Sequence, residues 1–240
     1  MNLKTLPYVL VHALIFPLLI VCCEKGGGGG GSGNPVPPAN PVKKVTESVE
    51  NVVADKDLQG SWESQCFAKP GDFIISQVMT LGKGSVKSSK IKYILTGSQV
   101  DRLSRFYSGA NCQTEVYAFH ETGSFKIDEK VNTPDGGKGV NFDFKKLTLK
   151  VSGKAGEDLA NSMKLCGKSD WSDQAGEVDV TNHSREVSCY FVAVPRMNAN
   201  LYKVDKAKNS LFLGTAATSE TSYNQRPTAL DVNEKYSAAQ

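Results

Sequence analysis

Side chains able to carry out chemistry are few in this chain and widely spaced. Histidine, the usual general base near neutral pH, occurs at His12 inside an uncharged N-terminal run, at His120 and at His183. His120 sits within an apparent strand on the same parity as Val116 and Ala118, where a structural or barrel-lining histidine is expected. His183 lies in Thr181-Asn182-His183-Ser184-Arg185, which reads as exposed loop. A serine nucleophile needs a base within reach and an exposed turn to present it, and no Gly-x-Ser-x-Gly occurs. Glu115 and Glu121 share strand parity but stand about 20 Å apart at the rise of an extended chain, too far for a glycosidase pair. Asp170, Asp173, Glu177 and Asp179 surround Gly176, yet that glycine falls seventh from Asp170, not sixth as a helix-loop-helix calcium site requires. A solvated acidic loop is expected there. The Gly-rich residues 26–33 are no phosphate loop, because no strand precedes them and no Lys-Ser/Thr follows. The expectation is therefore a protein with no catalytic constellation, no metal site and no cofactor.

Cysteine is the residue whose spacing says most. Besides Cys22 and Cys23, the chain holds Cys66, Cys112, Cys166 and Cys189, with no Cys-x-x-Cys pair to support a zinc ribbon or a redox site. An even set in an exported chain implies two disulfides, for which three connectivities exist. Pairing of neighbours is expected, Cys66–Cys112 and Cys166–Cys189. Cys66 follows the first strand and Cys112 leads into the strand at 114–121, while Cys166 ends a helix and Cys189 opens a C-terminal strand.

Export is read from the N-terminus. Lys4 precedes an apolar stretch without charge from Thr5 to Cys23, the build of a secretory leader. It is shorter than the ~20 residues of a membrane span and is interrupted by Pro7 and Pro17. Leu19-Ile20-Val21-Cys22-Cys23 resembles a bacterial lipobox, which implies removal of residues 1–22 and lipidation of Cys23. Ile20 then fills the aliphatic position and Cys22 the small one; Cys22 itself is the second choice for the lipid. Glu24 in place of Asp implies delivery to the outer membrane. After the cysteine come Gly26–Gly31, Ser32 and Gly33, then Pro35, Pro37, Pro38 and Pro41. Too poor in apolar side chains to fold, this flexible and then stiff segment, 23–41, suits a tether. Fully extended it reaches on the order of 60 Å.

Length and composition allow one folded domain of ordinary size, or two very small ones, on that tether. The 240 residues carry 22% charged and 40% hydrophobic side chains and a net charge of +3. With 28 basic residues against 25 acidic and no long basic run, nucleic acid is not expected as a partner. Val42, Val45, Val49, Val52 and Val53 have helical spacing, so residues 42–57 form either a short helix or nascent structure on the tether.

From Leu58 onward the chain alternates. Ile91, Tyr93 and Leu95 share one face; Tyr117 with Phe119, and Phe142 with Phe144, do the same. The parity switch to Leu147, Leu149 and Val151 places a bulge near Lys145-Lys146. Glu121-Thr122-Gly123 reads as a turn, and further strands are expected at 60–67, 73–81, 187–194, 200–205 and 210–214. Glu157–Leu165 is the one expected helix. The pattern is all-β and mainly antiparallel, a barrel or closely related sandwich over 58–232 with a C-terminal tail at 233–240.

Leu58-Gln59-Gly60-Ser61-Trp62 resembles the Gly-x-Trp signature that opens the first strand of lipocalins and other calycins, and Arg226 in Tyr223-Asn224-Gln225-Arg226-Pro227 resembles the arginine that covers that tryptophan. More distantly, the chain is similar to extracellular calycin-like domains of a secreted Wnt-antagonist family. The resemblance implies a calycin-like barrel in which Gly60, Trp62 and Arg226 are structural, with Arg226 stacked on Trp62. It implies a small apolar ligand held in the barrel of a lipid-anchored envelope protein. The alternative is a structural lipoprotein with a filled barrel that binds another envelope protein.

Overall fold

The computed structural model describes residues 55–239 except Pro70. The leader, Cys22 and Cys23, the tether and residues 42–54 lie outside the described residues.

Alternation builds the strands. In β2 (Ser88–Thr96), Ile91, Tyr93 and Leu95 are buried while Lys90 and Lys92 are partly exposed on the other face. β1 (Gly60–Ser64), β2, β3 (Gln99–Tyr107), β4 (Glu115–Asn132) and β5 (Lys138–Val151) form an antiparallel meander, each strand paired with the next. β7 (Arg196–Asp205) pairs with the first half of β5, β8 (Ser210–Gly214) with β7, and β9 (Leu230–Ala238) with β8 and with β1. Eight antiparallel strands thus close a ring. The fold is all-β with the calycin-like barrel architecture. A closed ring leaves no unpaired edge within it. β6 (Glu177–Asp179) lies outside the ring against the second half of β5.

β4 and β5 change register where the bulge was expected. Thr122 faces Lys146 but Gly123 faces Phe144, so Lys145 has no partner. Gly123 is required there: a Cβ would lie 2.1 Å from the carbonyl oxygen of Asp143. The expected turn at 121–123 does not form, because β4 runs through it unbroken and the bulge takes up the change of parity.

Residues 73–81 are helix, not strand. α1 (Phe73–Leu81) is started by Asp72, whose carboxylate accepts from the Ile75 N–H, and it buries Ile74, Ile75 and Val78. The cap and the i, i+4 spacing outweigh the strand propensity of Phe-Ile-Ile. Residues 187–194 are turns. Their apolar alternation is overridden by the Cys166–Cys189 disulfide and by local bonds from Cys189 N–H to Glu186 and Tyr190 N–H to Ser184. The expected tail at 233–240 is largely β9, which closes the barrel through Ser64–Tyr236 pairing. α2 (Gly153–Met163) corresponds to the expected helix with an earlier start, and α3 (Glu220–Tyr223) is a single capped turn. The disulfides are Cys66–Cys112 and Cys166–Cys189, the pairing expected from the sequence.

Candidate functional site

Aromatic rings and charges together fill the barrel. Tyr93 on β2 stacks at 5.7 Å on Phe142 of β5, across the axis, and meets Tyr236 of β9 edge-on at 5.6 Å. Phe106, Tyr117 and Phe119 form a second cluster, joined by Tyr190 from the segment between β5 and β7 at 4.9 Å from Phe119. Between the rings lies an ionic network. Arg102 donates to Glu121 at 3.0 Å, to Asp72 at 3.0 Å and to the Tyr190 hydroxyl at 2.8 Å. Arg196 takes the other Glu121 oxygen at 2.5 Å, and its guanidinium lies 4.8 Å from the Phe144 ring centre. Two arginines and two carboxylates balance, as groups taken out of water must. Rings and ionic side chains thus occupy the barrel interior, where the family resemblance implies an apolar ligand.

A cleft of about 330 Å³ opens at the mouth instead. Asp72, at the N-cap of α1, forms part of its floor with Tyr93, Asn198 and Tyr236; the connection from β8 to β9, including Ala217, Arg226 and Thr228, walls it; Asp231 and Glu234 on β9 complete it. Tyr93 and Asn198 are only 4% and 6% exposed. The Tyr93 hydroxyl and the Asn198 side chain make no hydrogen bond among the described residues, and their polar atoms are not among those sealed from solvent, so they open onto the cleft. Both therefore present a polar group at the cleft that a ligand or water can satisfy. The Tyr236 hydroxyl donates to Glu234 at 2.8 Å. Burial pushes the Glu234 carboxyl up to about 6, and the neighbouring Asp72 and Asp231 charges add to the shift, opposed by the Tyr236 bond and by Arg102. Burial likewise holds the Tyr93 phenol protonated, pushed up to about 12.

The cleft is unevenly charged. Asp72 is neutralised by Arg102, and Arg226 is paired with Asp128 at 3.0 Å. Asp231 and Glu234 have no ion-pair partner among the described residues: Asp231 accepts from the Asn233 N–H, and Glu234 from Tyr236.

The residues singled out in the sequence fall elsewhere. His120 faces outward on β4 between Asp101 at 3.1 Å and Glu177 of β6 at 3.3 Å, a structural link between strands. His183 is half-exposed beside Glu186. Asp170, Asp173, Glu177 and Asp179 disperse, with Glu177 bound to Thr148 and His120, and Asp179 to the Thr181 N–H. Gly60 opens β1, and Trp62 is buried with its indole N–H donating to the Leu58 carbonyl at 2.9 Å.

The expected Trp62–Arg226 stack does not form. Cation–aromatic contacts among the described residues join Arg102 to Tyr93, Lys138 to Tyr202, Lys168 to Trp171 and Arg196 to Phe144. Arg226 instead donates to the Val140 and Asn200 carbonyls and to the Asp128 and Asn141 side chains. Four acceptors on β4, β5 and β7 hold the guanidinium, whereas the strand partners of Trp62 are β2 and β9.

The interior charges had a signal in the sequence. Arg102 has the parity of Val100 and Phe106, and Glu121 that of Tyr117 and Phe119; a charge on an apolar face of opposite sign to another such charge marks a buried pair. Asn198 and Glu234 had no comparable signal. Comparison with known proteins finds no matching family model and no matching curated protein.

Proposed function

We propose that this is an exported, lipid-anchored protein of the cell envelope, non-enzymatic, which binds a small polar ligand in the mouth cleft of a filled barrel. Export and anchoring rest on the leader and the Ile20-Val21-Cys22-Cys23 sequence, with Cys23 carrying the lipid and the outer membrane as destination. Binding rests on one observation: Tyr93 and Asn198, side chains almost wholly buried, turn polar groups without a partner among the described residues into a cleft of about 330 Å³, at the lower end of the size range of ligand sites. An apolar ligand along the axis is not proposed, because aromatic rings and the Arg102–Glu121–Arg196 network occupy that space.

Two measurements test it. Cys23→Ala should release the protein from membranes into the soluble fraction; continued membrane association removes the lipoprotein reading. Ligand-observed NMR with a panel of small polar molecules should detect binders whose signal is lost in Tyr93→Phe/Asn198→Ala. Binders unaffected by that pair of changes remove the cleft.

The filled interior also favours a second reading, a lipoprotein whose outer surface binds another envelope protein. Cross-linking in intact envelopes separates the two, since this version requires a stoichiometric protein partner.

A further inference from the structure

We propose that the mouth cleft takes a small organic cation, its ammonium or guanidinium group seated against Glu234 and Asp231 and hydrogen-bonded by Asn198 and Tyr93. The proposal deepens the cleft-binding reading and rests on it.

Charge balance supplies the sign. The two arginines inside the barrel are matched by Asp72 and Glu121, and Arg226 by Asp128. Of the charged groups lining the cleft, only Asp231 and Glu234 lack a counter-ion among the described residues, so an empty cleft carries uncompensated negative charge. Held partly out of water, such charge is costly unless paired. A bound cation provides the pair; an anion would add a third like charge and meet no free donor of positive charge, because Arg226 is committed to four acceptors.

Hydrogen bonding supplies the rest of the recognition. An ammonium or guanidinium group is a donor only. The cleft offers acceptors to match it: the free carboxylate oxygens, the Asn198 side-chain oxygen and the Tyr93 hydroxyl oxygen. Neither of the last two has a hydrogen-bond partner among the described residues.

The same groups make binding sensitive to acid. Glu234 faces Asp231 on its own strand, Tyr236 beside it, Asp72 from the cap of α1, Arg102 from β3 and Tyr93 from β2. Burial and the two acidic neighbours favour its neutral form. Protonation removes the charge that the cation needs, so affinity falls as pH drops through about 6.

The experiment is calorimetric titration of the full chain in detergent with butylamine, agmatine, butanol and butyrate at pH 7.5 and pH 5. The amines are expected to bind at neutral pH at least about tenfold more tightly than butanol or butyrate. Glu234→Gln should weaken the amines by a similar factor and flatten their pH dependence. Equal or tighter binding of butanol or butyrate, abolished in Tyr93→Phe/Asn198→Ala, overturns the cationic class and leaves the cleft standing. Amine binding that survives those cleft substitutions, or no binding by any of the four up to millimolar concentration, overturns the cleft reading and this proposal together.

Discussion

Arg102 and Glu121 meet at 3.0 Å with both side chains fully shielded from solvent. They lie directly opposite each other on adjacent strands of the barrel, β3 and β4. Such a pair is not a gain over an apolar core of the same shape, but breaking it is costly because the surviving charge stays buried. Glu121 holds Arg102 through one oxygen and Arg196 through the other. Glu121→Gln should therefore lower stability by about 3–5 kcal/mol. Urea unfolding would register this as a lower midpoint with an unchanged slope; an unshifted midpoint would show that the network is not formed in solution.

The two disulfides differ in the chain they enclose. Cys66–Cys112 spans 46 residues and Cys166–Cys189 spans 23. Each contributes ~3–4 kcal/mol by restricting the unfolded chain, and doubling the loop adds about 0.6 kcal/mol. Cys66→Ser/Cys112→Ser should thus destabilise slightly more than Cys166→Ser/Cys189→Ser. Thermal melts of both double variants check the order. A reversed order would mean that local packing around Cys166 and Cys189, both buried, outweighs the loop term.

What could be read from the sequence was whatever local chemistry decides. Period-two alternation gave β2 and the two ends of the long β4–β5 ladder, and the parity switch after Phe144 placed the bulge at Lys145. Cysteine positions relative to the strands gave the disulfides. Misreadings came where two local signals competed: Phe73-Ile74-Ile75 has strand composition, but Asp72 supplies a helix cap. Val187–Val194 alternates, but a cross-link and turn bonds claim its backbone. β9 was hidden because its partners, β1 and β8, are distant in sequence and its apolar content is low. The cleft was illegible for the same reason, being assembled from α1, β2, β7, β9 and the connection after β8. Arg226 meets partners other than the expected Trp62, since a signature names residue types and not the side chains they meet.

Gly123 makes the bulge sterically possible. Any Cβ at this position would collide with the Asp143 carbonyl at 2.1 Å and the Phe144 Cα at 2.8 Å. Both are backbone atoms in the middle of a ladder, with no flexible side chain to yield. Gly123→Ala should cost about 1–3 kcal/mol, the range of overpacked sites. Hydrogen exchange should localise the loss to amides of β4 and β5 near Lys145; unaltered exchange there would contradict the close approach.

Arg226 joins three strands with one planar group. Its guanidinium serves Asp128 of β4, Asn141 and the Val140 carbonyl of β5, and the Asn200 carbonyl of β7. Lysine keeps the charge but has no planar fork to reach them together. Arg226→Lys should lower stability by about 1.5–3 kcal/mol, the worth of a hydrogen bond to a charged group, and lower the melting temperature accordingly. Trp62 fluorescence should not change in the folded variant, since the indole is bonded to Leu58 and not to Arg226. A shifted emission would revive the stack.

Glu234 ties the stability of the fold to pH. Its carboxyl is raised from 4.5 in the unfolded chain to about 6 in the folded one. Between those values the folded state holds more proton than the unfolded state, so stability falls as pH rises through the window. The full loss, reached above the folded value, is on the order of 2 kcal/mol. Glu234→Gln removes the ionisation and keeps an oxygen to accept the Tyr236 hydroxyl. The variant should match the wild type below about pH 4.5 and exceed it by about 2 kcal/mol at pH 7.5. Chemical denaturation across pH 4 to 8 measures the gap; a gap of constant size would mean that the substitution acts through packing and not through charge. If the cleft holds a cation, the more stable variant is also the weaker binder. The buried carboxylate without a counter-ion among the described residues is then explained by the site it would serve, because a fold selected for stability alone gains from its removal.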